Sequence, residues 1–508
     1  MKNYDYQFII IGGGAAGFAA AIKADSLKIK TLMISGGKVP LGGTCINVGC
    51  MPSKRLLTVA ESYWNARYSK YDGVAGSVPD LDFKKVVESK DALIRKLQGK
   101  AYAGTLKFLV YVTLKEGDAK FIDEHTVEIN GPASAKATAG GEKITGEKFL
   151  ISTGSSTFIP PIDGLDKVAY LTNIEALSLK ELPKSMIILG GGPLGLEFSQ
   201  IYNRFGTKVT VLQYADKIAD REEPELSDFL KKKLEKEGTT IYTSAKTKGV
   251  EHNGNLIKAT VEVGDPASAP PSPKATEGRS KATAGKKEII IEAEKILVAS
   301  GVRANTQSLN LEHIGVRVGE RGGVATNEFL QTDLPHIFAA GDVVDQSGEE
   351  VNLKLETVAG REGFVAASNL LENKGIKVDF RAAPHAIFTD PPLASVGLTD
   401  AQIVKQTGLV CSCRTLSLEL VPKAHILEAA DGLIKMVIDS KTEEVVGIHM
   451  AGARADEIIS VASFIIKHRM KLDDIIENTF IFPTMAESIK WVAQSFRKDV
   501  NKLSCCTE

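Results

Sequence analysis

One arrangement occurs twice in these 508 residues and limits what the chain can fold into: an apolar strand run, a glycine turn, then a helix-forming run. The first copy runs through 6–11, then Gly12-Gly13-Gly14-Ala15-Ala16-Gly17, then 18–24. The second runs through 185–189, then Gly190-Gly191-Gly192-Pro193-Leu194-Gly195, then 196–205. In each, the first glycine (Gly12, Gly190) permits a tight turn and the second (Gly14, Gly192) lets the backbone approach a pyrophosphate. The third (Gly17, Gly195) lets helix and strand pack, and the helix N-terminus favours the negative charge. A lone glycine turn joins strands to helices in many proteins, but two copies in strand, turn and helix context imply two dinucleotide sites. Strand signals at 149–152 and 208–212 support alternating units around a parallel sheet, hence an α/β fold.

The acidic residue that usually holds the adenosine ribose is missing from both copies: Ser35 ends the second strand of the first unit and Gln213 that of the second. For the second unit, the lack of a carboxylate that would repel a 2'-phosphate points to NADPH, with Lys217 or Arg221 as phosphate partners and NADH as the alternative.

Composition narrows the partners. Lys+Arg 62 against Asp+Glu 63 gives a formal charge of −1, so no global field draws the chain to nucleic acid or anionic lipid. The apolar run 8–11 ends at once in glycines, which predicts neither signal peptide nor membrane span, and a cytoplasmic location. Six cysteines are too few for a disulfide-stapled scaffold and read as thiols. Stretches 131–141 and 264–287 lack core-forming side chains and read as floppy hairpin extensions. From 382 onward the glycine fingerprints stop and mixed strand and helix signals predict an α+β domain.

The most specific segment is Gly42-Gly43-Thr44-Cys45-Ile46-Asn47-Val48-Gly49-Cys50-Met51-Pro52-Ser53-Lys54. Two cysteines five apart at a helix start can face each other, and a helix N-terminus lowers a thiol pKa. The segment resembles the redox-active helix of the class I pyridine nucleotide-disulfide oxidoreductase family, which includes lipoamide dehydrogenase, glutathione reductase and mercuric reductase. The resemblance covers almost the whole chain. Thr153-Gly154 and Ser300-Gly301 are similar to the family's two crossover segments, and 332–342, ending Gly341-Asp342, to its second FAD motif. It implies FAD at the first fingerprint, with Ala15, Ala16, Gly43 and Thr44 also at that cofactor and Asp342 accepting from the ribityl chain. It further implies a Lys54 to Glu197 ion pair beside the isoalloxazine, and Cys50 as the sulfur nearer the flavin. The implied architecture is two Rossmann-like domains, FAD-binding (1–165 and 301–378) and NAD(P)H-binding (166–300), plus a C-terminal α+β dimerisation domain (379–508). The implied assembly is a homodimer with active sites shared across the interface.

Within the family, disulfide reductases supply an acid/base histidine in a His-Pro-Thr segment near the C-terminus. Here the segment reads Phe482-Pro483-Thr484, with Glu487 following, and a phenyl ring cannot shuttle a proton. The chain then ends Cys505-Cys506-Thr507-Glu508, a thiol pair suited to a soft metal ion. Residues 495–502 and the segment Val421-Pro422-Lys423-Ala424 resemble the mercuric reductase branch. That resemblance implies electron flow from NADPH through FAD to Hg(II), received from mercuric thiolates at Cys505 and Cys506 and passed to Cys45 and Cys50, with Hg(0) leaving. A lipoamide dehydrogenase-like or other disulfide reductase is the alternative. Relatives carry tyrosines beside the metal whose equivalents the sequence does not reveal, so auxiliary ligands stay open, and Cys411 and Cys413 read as small buried hydrophobes on one strand face.

Overall fold

Apolar side chains at four successive positions, Phe8 to Ile11, suit a strand covered on both faces, and Tyr6–Ile11 is a buried parallel strand at the centre of the first sheet. The computed structural model describes residues 3–37, 39–131, 141–264, 287–345, 353–407 and 411–502. Cys505 and Cys506 lie outside the described residues, as do 132–140 and 265–286, the interiors of the two stretches read as hairpin extensions. By internal contacts the chain divides into two units, 1–53, 88–158 and 301–380 in one, and 54–87, 159–300 and 381–508 in the other.

In the first unit the strands run in the order Val112–Glu116, Thr31–Ser35, Tyr6–Ile11 and Glu142–Ile151, all parallel, with Ile337–Ala339 parallel on the far side of Glu142–Ile151. The start of Glu142–Ile151 leaves this sheet and pairs antiparallel with Thr126–Asn130, which pairs with Asp118–Asp123. One face is covered by helices Ala15–Ser26 and Glu356–Glu372. They cross closely because Gly363 lacks a side chain: a Cβ there would lie 2.0 Å from the Ala16 carbonyl oxygen.

The second unit holds a second parallel sheet, ordered Thr240–Tyr242, Lys208–Leu212, Ser185–Leu189 and Lys295–Val298. Beside it lies an antiparallel meander, Ala245–Asn253, Leu256–Val263 and Lys287–Ala293, whose middle strand alternates strictly between buried and half-buried residues. After 381 comes a five-stranded antiparallel sheet, His385–Ile387, Leu393–Gly397, Val445–Ala451, Leu433–Asp439 and Cys411–Ser417, packed against helices Ala455–Lys467 and Glu487–Gln494 through one apolar core. Two parallel Rossmann-type sheets and an α+β C-terminal region follow directly from these pairings. Cys413 is half-buried rather than buried. Among the described residues, no helix is long and apolar enough to cross a membrane.

Candidate functional site

Both glycine turns are built to one plan. Gly12 (φ +122°) and Gly190 (φ +115°) take a conformation that other residues rarely adopt, and a Cβ on them would sit 2.1 Å from the Ser152 carbonyl oxygen and 2.4 Å from that of Ala299. Gly14 and Gly192 differ: a Cβ at Gly14 would meet nothing nearer than 3.8 Å, and at Gly192 nothing within 4 Å. Each caps a helix, Ala15–Ser26 or Pro193–Phe205, without any side-chain acceptor. An open backbone face with first-turn amides behind it suits a pyrophosphate, so both turns fit a dinucleotide. Gly17 and Gly195 serve the packing, since a Cβ on either would lie 2.0 Å from the carbonyl oxygen of Gly12 or Gly190.

Gln213 ends its strand buried, but it does not point at open space. Its Oε1 accepts from the Gly191 amide at 2.8 Å and its Nε2 donates to the Lys217 carbonyl at 3.1 Å, so it braces the second turn.

The Gly42-Gly43 turn runs against the first fingerprint, with the Gly42 amide donating to the Gly13 carbonyl at 2.8 Å. A Cβ on Gly43 (φ +73°) would lie 2.8 Å from the Gly14 Cα. Helix Gly43–Val48 then carries exposed Thr44 and half-buried Cys45, and helix Cys50–Arg67 opens with exposed Cys50. Asn47 fastens the turn by donating to the carbonyls of Pro40 and Gly43 at 3.0 and 2.8 Å. The two thiols are not joined by a disulfide here, and their sulfurs lie, with a carboxylate oxygen of Glu356, within 4.8 Å of one another. Tyr102 donates its hydroxyl to Glu356 Oε1 at 3.1 Å. The hydrogen bond with Cys50, burial and the nearby Glu356 carboxylate push the Cys45 thiol well above its ordinary pKa. At Cys45 the neighbouring sulfur, burial and the carboxylate oppose the lowering that a helix start favours.

In the second unit, Lys54 Nζ meets both carboxylate oxygens of Glu197 at 2.8 Å. Glu197, 5% exposed, also accepts from the Phe388 amide at 3.0 Å, and the Lys54 ammonium sits 4.4 Å from the centre of the Phe388 ring. In the first unit, Thr153 and Asn305 exchange hydrogen bonds at 2.7 and 2.9 Å. Beyond them Ser155–Thr157 pairs antiparallel with Val302–Ala304, so the segments after Gly154 and Gly301 form one two-stranded ribbon. Asp342 accepts from Ser155 Oγ at 2.7 Å, and the Gly341 amide donates to buried Glu362 at 2.5 Å. Phe482 is 55% exposed, while Glu487 is buried and accepts from the Thr484 amide at 3.1 Å.

Comparison with protein-family models decides the assignment: residues 6–363 match the pyridine nucleotide-disulphide oxidoreductase model and residues 383–493 its dimerisation-domain model. The chain belongs to the pyridine nucleotide-disulphide oxidoreductase family. As a member it is a flavoprotein oxidoreductase that works with a nicotinamide nucleotide. It is 36% identical over 502 residues to a mercuric reductase of Streptomyces lividans, covering 99% of this chain and 98% of that one. It is 34% identical to a mercuric reductase of Staphylococcus aureus, covering 99% of this chain and 85% of that one. A dihydrolipoyl dehydrogenase of Bacillus subtilis is 32% identical over 94% of each chain. Among solved structures, a Cu(II) complex of the HOCl-induced flavoprotein disulfide reductase RclA from Escherichia coli superposes with a TM-score of 0.80 at 27% identity, covering 98% of this chain and 100% of that one.

Two residues of this oxidoreductase's thiol site escaped the sequence reading. Glu356 shows only as an acid opening a helix-forming run, and Tyr102 lies 254 residues from it with no motif around it.

Proposed function

We propose that this oxidoreductase reduces Hg(II) to Hg(0) with electrons from NADPH, the metal arriving as a mercuric thiolate. The observation that carries this reading is a pair of sulfurs close enough to share one soft ion, in a chain whose residue 482 is a phenylalanine where the family's disulfide reductases use a histidine. Near full-length similarity to mercuric reductases supports it.

The assignment of parts follows the reading. Residues 1–165 and 301–378 bind FAD, 166–300 the nicotinamide nucleotide, and 379–508 pair two chains as a homodimer in the cytoplasm. Bound there, FAD would supply the two-electron chemistry that links the nucleotide to the metal. Gly12, Gly14, Ala15, Ala16 and Gly17 form one pyrophosphate cradle, with Gly43, Thr44, Thr153, Gly154, Gly301, Gly341 and Asp342 around the rest of that cofactor. Gly190, Gly192 and Gly195 form the other, and Gln213, an amide where a ribose-binding carboxylate would repel a 2'-phosphate, supports NADPH over NADH. Lys54, held by Glu197, places a fixed cation one turn beyond Cys50 on its helix. Cys505 and Cys506 take the metal first and hand it to Cys45 and Cys50. At each exchange one Hg–S bond forms as another breaks, and a proton carried by the attacking thiol leaves with the displaced thiolate, so the ion is never released.

The test is NADPH oxidation by the flavin-loaded protein with Hg(II) in excess small thiol, run beside lipoamide and oxidised glutathione. Fast turnover of either disulfide would transfer the assignment to a disulfide reductase.

A further inference from the structure

Three donor atoms, not two, converge at the cysteine pair. Two soft sulfurs and one hard oxygen are more than a soft ion held by two thiolates requires, and they match the mixed sulfur and oxygen set that zinc-type ions accept. We propose that Cys45, Cys50 and Glu356 form a three-point site for a redox-inert, four-coordinate divalent cation, Zn(II) or Cd(II), which occupies the dithiol form and blocks it. This deepens the reading above, since it rests on the same cysteine pair, but it does not require mercury turnover.

The geometry is permissive. Zn–S bonds of about 2.3 Å and Zn–O bonds of about 2.1 Å in a tetrahedron place the donors roughly 3.6 to 3.8 Å apart. The three atoms already lie within 4.8 Å of one another, so the contraction needed is at most about 1.2 Å.

Glu356 is oriented before any ion arrives. It stands in the first turn of Glu356–Glu372, where a negative charge suits the helix dipole, and Tyr102 donates to its Oε1. Tyr102 is itself held, 8% exposed and edge-on to Phe18 with ring centres 4.7 Å apart. A hydroxyl that fixes a carboxylate ligand is the outer support that metal sites use to set ligand direction. Binding would form two metal–sulfur bonds and one metal–oxygen bond, release the protons the thiols carried, and move no electrons.

The experiment titrates the full-length, flavin-loaded protein, reduced by a phosphine in the absence of competing thiol, with Zn(II) against a chromogenic chelator, and with Co(II) as a spectroscopic probe. The expected result is one Zn(II) per chain with thiolate-to-cobalt absorption. Glu356→Gln should weaken Zn(II) at least about tenfold, Tyr102→Phe a few-fold, and the loss for Hg(II) in Glu356→Gln should be smaller than that for Zn(II). Equal Zn(II) affinity in wild type and Glu356→Gln, or no Zn(II) bound by wild type, would overturn the proposal. Flavin content reports folding. If Glu356→Gln fails to load flavin, Glu356→Asp and Tyr102→Phe decide, and unchanged affinity in both overturns it. A wild type without mercury turnover would remove the proposed function while leaving the zinc titration readable, so the two failures are distinct.

Discussion

Cys45 and Cys50 are five residues apart yet differ in what surrounds them. Cys45 is half-buried and keeps its proton because the second sulfur, burial and Glu356 all disfavour its charged form, whereas Cys50 is exposed at the head of its helix. In the flavin-free protein, brief alkylation at neutral pH should label Cys50 at least about tenfold faster than Cys45, read by peptide mass, and preferential labelling of Cys45 there would contradict this. The ion pair gives a second prediction at this scale. Lys54→Met leaves the buried Glu197 carboxylate with the Phe388 amide but without its cation, and should cost about 1–3 kcal/mol of stability in urea unfolding, while Glu197→Gln, which buries no stranded charge, should cost less. The cysteines, Lys54 and the fingerprint glycines were legible because each sits in a local pattern. Glu356 and Tyr102 were not, because their value arises only when a 254-residue separation is closed by folding.

Strands made of continuous apolar runs were readable to the residue: Tyr6–Ile11, Ser185–Leu189 and Lys208–Leu212 stand where the periodicity puts them. Glu142–Ile151 reads as a strand only from 149, because its first part leaves the buried parallel sheet and carries Glu142, Lys143 and Thr145, polar residues that an antiparallel pairing tolerates. The C-terminal sheet hides a feature that no periodicity announces. Lys435, 1% exposed on Leu433–Asp439, donates to Glu223 before helix Pro224–Lys236 at 2.8 Å and to Asp400 at the start of Asp400–Thr407 at 2.8 Å. Lys435→Met strands a fully buried carboxylate and should cost about 3–5 kcal/mol. On the neighbouring strand, burial holds His449 neutral, its pKa lowered to about 4, near Glu222, Glu223, His385 and Lys435. The unfolded chain, with a histidine near its ordinary 6.5, binds a proton that the folded one refuses, so this contribution is intact above that pH and is lost as pH falls toward 4, by about 3 kcal/mol. His385 opposes it: burial alone would lower its pKa, but the Glu222 carboxylate outweighs that and raises it, so its contribution is present at low pH and lost as pH rises through its folded value. Denaturant unfolding between pH 7 and pH 4 should show a shallower acid loss in His449→Leu than in wild type, once each is referred to its own stability at pH 7.

At the scale of the molecule, the order of motifs and the resemblance pointed to two nucleotide folds, a return of the chain to the first of them near 301, and a C-terminal region, but gave no sign of where 54–87 belongs. Residues 54–87 join the second unit although helix Cys50–Arg67 begins in the first, a division set by contacts rather than by any motif. The dimerisation-domain match, with Ile426, Phe464, Ile481 and Phe482 exposed inside it, predicts a homodimer by light scattering. Replacing Cys505 and Cys506 by Ala should leave flavin reduction by NADPH intact and slow mercury turnover when competing thiol is abundant. The most direct measurement is NADPH consumption by the flavin-loaded protein given mercuric thiolate, with evolved Hg(0) counted. The account predicts one NADPH oxidised per Hg(0) released, with lipoamide and oxidised glutathione slower by about a hundredfold or more for want of an acid/base imidazole. NADPH consumption that does not depend on mercury, or disulfide turnover at a comparable rate, would contradict it.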